Sequence, residues 1–140
     1  MKNDSLSILF LGKEDDKFCE KAQCFVKNNF KNSDVFLGKW GDSFPDRINS
    51  WQGDYIISYL SRWIIPNSIL SRARKAAINF HPGSPEYPGV WCINFALYGE
   101  SEYYGVTCHH MSEKVDRGAI IAVKEFPIFT SDSVKTLLDQ

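Results

Sequence analysis

The chain has no stretch approaching the ~20 consecutive apolar residues of a membrane-spanning helix. Its first residues include Lys2 and Asp4 around a short, interrupted apolar run, so they do not read as a secretory leader. Neither sign of charge dominates: 16 basic against 17 acidic side chains leave a net charge of −1. No global positive field is available to gather nucleic acid. The four cysteines, at 19, 24, 92 and 108, form no Cys-x-x-Cys pair and no histidine stands at finger spacing from them. That argues against zinc and reads instead as small buried thiols in a reducing cytosol. Gly12-Lys13 lacks the glycine-rich pattern of a phosphate loop. No internal repeat, low-complexity segment or second domain is visible. The expectation is one soluble, cytoplasmic domain over residues 1–140, with 44% apolar residues and enough length to bury a core without staples.

Apolar runs and helical stripes alternate along most of the chain. Strands are predicted over residues 5–11, 34–40, 55–60, 76–81, 103–111 and 118–126. Helices are predicted over 14–29, 66–74 and 90–98, with a last one capped by Ser131 and running to Gln140. Residues 41–53 are polar, hold Pro45 and read as loop with one helical turn. Several strands are continuously apolar, as expected where both faces of a sheet are covered. The fold class is therefore α/β, a mostly parallel twisted sheet flanked by helices in a Rossmann-like arrangement. In such sheets ligands bind beyond the carboxyl ends of the strands.

One of those ends holds chemistry. In Ile78-Asn79-Phe80-His81-Pro82-Gly83-Ser84-Pro85-Glu86-Tyr87-Pro88-Gly89 an amide and an imidazole stand two residues apart on a strand, and so on one face. A stiff Pro/Gly loop follows at once, and loops held on a rigid scaffold are where chemistry concentrates. Alone, Asn79 could pair with backbone and His81 could cap a turn. Asp116, just before Gly118, reads by itself as a solvated turn residue. Thirty-five residues separate it from His81, enough chain for a crossover to return to the same edge. Asn79, His81 and Asp116 together are what is needed to polarise a carbonyl, move a proton and orient an imidazole.

Other features have plainer readings. His109 and His110 lie on one strand and face opposite ways, and the inward one reads as a satisfied core histidine. A metal site from His81, His109 and Asp116 has no support from local ligand spacing. Pro82, Pro85 and Pro88 repeat every three residues like a polyproline ligand, but the apolar strand before them and the lack of nearby Lys or Arg argue against a docking peptide. Trp63, Ile64 and Ile65 could line an apolar slot, with core packing as the default.

These residues resemble the folate-dependent formyltransferases. The resemblance rests on Asn79-Phe80-His81-Pro82, Glu86-Tyr87-Pro88-Gly89 and Asp116-Arg117-Gly118, in that order, with a strand from Gly105 leading to the aspartate. It runs over residues 56–128 and more loosely over 5–36. Gly83-Ser84-Pro85 departs from the Ser-Leu-Leu-Pro usual in the purine-pathway and initiator-tRNA members. The run from Cys92 to Tyr98 is similar to the sugar-nucleotide N-formyltransferases of O-antigen and lipopolysaccharide synthesis. The resemblance implies formyl transfer from 10-formyltetrahydrofolate to the amine of a dTDP- or GDP-linked amino-deoxy sugar, without a metal. Asn79 would donate to the oxyanion, His81 would accept or relay the amine proton, and Asp116 would orient His81, through a water if needed. Arg62, Trp63, Ile64, Ile65, Val115 and Gly118 are the implied folate contacts, and Tyr87 and Asn94 the implied sugar-nucleotide contacts. A purine precursor or charged tRNA as acceptor, or a non-catalytic binding remnant, are the competing readings. Members of the family usually run past the position of Gln140, so the catalytic domain is expected to be incomplete at its C-terminal end. Exposed apolar surface there would favour self-association, with a homodimer among the options.

Overall fold

The computed structural model describes all residues from Met1 to Gln140. Its centre is a six-stranded sheet in the order β2-β1-β3-β4-β5-β6. The strands are β1 (Asn3–Lys13), β2 (Phe30–Gly38), β3 (Gly53–Tyr59), β4 (Ala73–His81), β5 (Tyr103–His110) and β6 (Ile120–Pro127). The helices are α1 (Lys17–Asn29), α2 (Asn67–Leu70), α3 (Cys92–Tyr98) and α4 (Val134–Leu138), with a 3-10 turn over Asp46–Ser50. β2, β1, β3 and β4 are parallel, while β5 runs antiparallel to β4 and to β6. The α/β expectation holds, and the last two strands account for the word "mostly". β5 and β6 are joined only by residues 111–119. A parallel return needs a crossover of a dozen residues or more, so this connection has to reverse direction.

Element ends differ from the predicted ones for local reasons. α1 starts at Lys17, three residues later than predicted. Asp15 is in the left-handed region at φ 55, and Asp16 caps the helix by accepting from the Phe18 and Cys19 N–H groups. α3 starts at Cys92 because Trp91 is left-handed at φ 63. The cap of α4 is Ser133 and not Ser131, because Ser133 and Thr136 form a reciprocal capping box. α2 is a single turn, since Ala73 already belongs to β4. β2 begins at Phe30, directly after α1, where it pairs with Asn3.

Alternation along the strands places the core and the site on the same sheet face. The row Leu9–Ile56–Ala77 continues to Met111, whose N–H bonds the Ala77 carbonyl. With Leu11, Ile48, Trp51, Ile65, Ile69 and Leu70 it forms the largest core cluster, under α2 and the 3-10 turn. One step toward the carboxyl ends, the next row reads Leu11–Ser58–Asn79–His109. The final step pairs His81 with Thr107. Along β4 this face thus turns from apolar at Ala77 to polar at Asn79 and His81, at the margin of the core. The other face packs Ile8 and Phe10 against Cys19 and Val26 of α1, and a third cluster joins α3 and α4 to Tyr104. No helix is long and apolar enough to cross a membrane.

Candidate active site

Asp116 is the centre of the site. Its Oδ1 accepts from Asn79 Nδ2 at 3.1 Å and lies 3.2 Å from His109 Nε2. Its Oδ2 lies 3.3 Å from His81 Nδ1 and accepts from the Gly89 N–H at 2.9 Å. One carboxylate therefore ties both strands of the β4–β5 pair to the loop after β4. Asp116 arrives by a different route from the one predicted. No crossover helix returns it; the 111–119 loop folds back over the strand that precedes it. Gly118 makes the fold-back possible, because a Cβ there would overlap the His110 carbonyl oxygen. Asp116 itself is left-handed at φ 52, a conformation Asp tolerates better than most residues.

The structure brings Asn79 and His81 each into contact with Asp116 and adds His109, the inward-facing histidine of β5. The antiparallel register puts His109 opposite Asn79 on the same face. A strand-direction assignment for 103–111 would have revealed this, but side-chain alternation alone does not carry direction. No water is needed between Asp116 and His81. His81 Nε2 is 2.7 Å from the Tyr87 carbonyl, an acceptor only. Both ring nitrogens thus face acceptors, an arrangement that a ring protonated at both nitrogens satisfies.

Burial alone would push the His81 ring down. Contact with the Cys92 thiol, the Tyr87 carbonyl and Asp116 outweighs burial and holds it above the ordinary histidine value. Linkage then fixes a sign. A raised folded value means that His81 stabilises the protein fully below the unfolded value of ~6.5 and less as pH rises through the folded one. Urea denaturation of the wild type should show this loss of stability on going from pH 6 to pH 9, and His81→Asn should remove it. An equal pH slope in both proteins would mean that His81 is not the group responsible.

A cavity of ≈ 180 Å³ opens beside the cluster, lined by His81, Ser84, Thr107, His109, Asp116 and Arg117 among others. It is large enough to admit several waters or a small reacting group. Thr107 shapes the rim by donating to the Gly83 carbonyl at 2.7 Å. Of the implied folate contacts, only Gly118 lines the cavity. Val115 and Ile64 are exposed, Trp63 packs edge-on against Phe44, Arg62 lies over the Trp40 ring, and Ile65 belongs to the main core. Tyr87 meets the cluster through its carbonyl, while its hydroxyl bonds Ser101. Asn94 lines a separate apolar hollow with Trp91, Val134 and Leu138.

Residues 18–140 match the sequence pattern of the formyl transferase family. This chain belongs to that family. A methionyl-tRNA formyltransferase from Listeria welshimeri is 33% identical over 90 residues, which are 64% of this chain and 29% of that protein. The chain spans under a third of the length of the curated relatives it matches. Among solved structures, a likely sugar N-formyltransferase from Mycobacterium tuberculosis matches 96% of this chain and 60% of its own, with TM-score 0.78 and 22% identity. A formyltransferase from Anoxybacillus kamchatkensis, in complex with UDP-4,6-dideoxy-4-formamido-L-AltNAc and tetrahydrofolate, matches 95% of this chain and 67% of its own (TM-score 0.72, 24% identity). HypX from Aquifex aeolicus, in complex with tetrahydrofolic acid, matches 89% and 22% (TM-score 0.73, 24% identity). At these identities the structural likeness is one of fold. The formyl transferase match nevertheless contains all four residues of the Asp116 cluster.

Proposed function

We propose that this chain moves a formyl group from 10-formyltetrahydrofolate to the amine of a nucleotide-linked amino-deoxy sugar. The observation that carries the reading is the contact of Asn79 and His81 with Asp116 beside a cavity that admits a small reacting group, within a formyl transferase family member. The cavity fits the reacting end of a formyl donor, since its lining residues supply N–H donors and one carboxylate, with Ile120 as their single hydrophobic side chain. The folate, when bound, supplies an electrophilic carbon on a nitrogen that can leave. The rest falls to the chain's own side chains. Asn79 offers an amide N–H to the formyl oxygen as that oxygen gains charge, a contribution of ~3 kcal/mol for such donors. His81, a donor at Nε2, exchanges the Tyr87 carbonyl for the same oxygen. Asp116 is the only anion of the cluster; it receives the proton that the attacking amine releases and gives it up to the folate nitrogen as the bond from that nitrogen to the formyl carbon breaks.

Arg62, Trp63, Ile64 and Ile65 follow β3, whose carboxyl end lies beside that of β4 in register. Val115 and Gly118 flank Asp116. We keep these six as the folate contacts, with Ile65 contributing through its backbone because its side chain is committed to the core. Tyr87 and Asn94 are retained for the sugar nucleotide, Tyr87 by positioning the loop. The sugar reading draws support from the Mycobacterium and Anoxybacillus neighbours. The methionyl-tRNA relatives support charged tRNA as the second acceptor. The test incubates the protein with 10-formyltetrahydrofolate and a panel of dTDP- and GDP-linked amino sugars, with mass spectrometry for one added formyl group. Product with one sugar is expected. Formylation of methionyl-tRNA or a purine precursor and of no sugar would overturn the assignment.

A further inference from the structure

Most buried polar side chains on the cavity wall are engaged with the protein. His81 meets Asp116 and the Tyr87 carbonyl, His109 meets Asp116 and the His110 carbonyl, and Thr107 donates to the Gly83 carbonyl. Ser84 differs. It is only 3% exposed and lines the same cavity, yet its hydroxyl makes no hydrogen bond to any protein group. No fully buried side-chain nitrogen or oxygen in the protein lacks a partner. The Ser84 hydroxyl is therefore not sealed in; it is the point at which this residue meets the open space of the cavity. Turn chemistry does not account for it either. A serine that serves a turn bonds nearby backbone through its hydroxyl. Here the Tyr87 N–H bonds the Ser84 carbonyl instead, at 2.9 Å. The backbone around Ser84 is held on both sides. The Pro82 carbonyl accepts from the Tyr104 hydroxyl at 2.6 Å, the Gly83 carbonyl accepts from Thr107 at 2.7 Å, and Pro85 follows. A Cβ at Gly83 would fall 2.5 Å from His81 Nε2, so the chain just before Ser84 lies against the imidazole. A hydroxyl held this way is preorganised for whatever enters the cavity.

We propose that Ser84 contacts the acceptor substrate, its hydroxyl oxygen accepting the hydrogen that the attacking nitrogen keeps. The inference rests on the formyl-transfer reading. A primary amine carries two hydrogens. As its nitrogen bonds the formyl carbon, one hydrogen leaves as a proton, by way of Asp116, to the folate nitrogen whose bond to that carbon breaks. The other stays and becomes the N–H of the formamide product. Arg117 is a donor only and has nothing to offer that hydrogen. The Thr107 hydroxyl is turned toward Gly83. The Ser84 oxygen has both lone pairs open and stands on the same small cavity as His81 and Asp116. Accepting the retained hydrogen there fixes the rotation of the amine, so that its lone pair faces the formyl carbon.

Ser84→Ala removes an oxygen that no protein group uses, so the melting temperature should not change. With saturating 10-formyltetrahydrofolate, kcat/KM for the reactive dTDP- or GDP-linked amino sugar should fall ~10-fold, the worth of one hydrogen bond to a group gaining charge. KM for the folate should stay as it is. The same sugar nucleotide with hydrogen in place of the amine has no N–H to offer. As a competitive inhibitor it should bind wild type and Ser84→Ala equally well. Equal weakening of the amino sugar and of this analogue would make Ser84 a loop-shaping residue and overturn the proposal. No transfer to any sugar by the wild type would defeat the function reading and this inference with it. Transfer by the wild type that Ser84→Ala leaves unchanged would defeat the inference alone.

Discussion

Asp116→Asn should lower formyl transfer on the order of 10³-fold, within the range of positioned acid–base groups. The substitution keeps size and shape. Asn also tolerates the left-handed backbone at φ 52, so no strain is introduced. What changes is charge and the acceptor count. As a carboxylate, residue 116 is within bonding distance of nitrogens from Asn79, His109, His81 and Gly89. An amide turns one of its two ends into a donor, so whichever way it sits two of those nitrogens face N–H groups. The side chain is buried at 9% exposure, so water relieves little of the conflict. Removing one partner of a buried charged pair typically costs ~3–5 kcal/mol. Urea denaturation should show most of that loss, and single-turnover mass spectrometry the kinetic one. Activity within about threefold of wild type would remove Asp116 from the chemistry.

Gly118→Ala should produce the second largest effect, through space alone. No positive φ is involved at this glycine. Its added Cβ would overlap the carbonyl oxygen and carbon of His110, which are backbone atoms of β5 and have no rotamer to escape into. The 111–119 loop would have to lift, and Asp116 stands two residues away on it. Misplacing a reacting group by ~1 Å can lower a rate ~10²-fold, so a loss of that order in kcat is expected. Overpacking of this kind destabilises by ~1–3 kcal/mol. An unchanged rate and midpoint would mean that the loop accommodates the methyl group without moving Asp116.

Much of this was legible in the chain, for reasons that can be traced to particular residues. Asn79 and His81 were readable because strand alternation fixes their common face, and the Pro/Gly loop after them announces an exposed end. The α/β class followed from continuously apolar runs between helical stripes. Strand direction was hidden. Alternation is identical in parallel and antiparallel strands, so nothing in Tyr103 to His110 said that His109 would stand opposite Asn79. Backbone chemistry was hidden as well. Tyr87 is expected as a sugar-nucleotide contact, yet its carbonyl is what His81 bonds, and the Gly89 N–H is a partner that no side-chain reading could supply. Helix starts shifted where Asp15 and Trp91 take left-handed backbone, which their side chains do not advertise. The proton count on His81 depended on both neighbours of one ring, and that is a property of geometry alone.

The direct reversal from β5 into β6 has a consequence for how such a protein can diversify. Asn79 and Asp116 are 37 residues apart, and every member of the cluster falls between them. The proposed reaction centre is thus confined to one contiguous cassette of chain, β4 through the 111–119 loop. The loops after β1, β2 and β3 emerge along the same edge of the sheet but contribute nothing to that cluster. The loops after β2 and β3 carry Lys39, Trp40 and Arg62, residue types suited to gripping bulky or charged molecules. Drift in those loops can alter part of what is held without disturbing the cluster, so that part of recognition is free to evolve at its own rate on one scaffold.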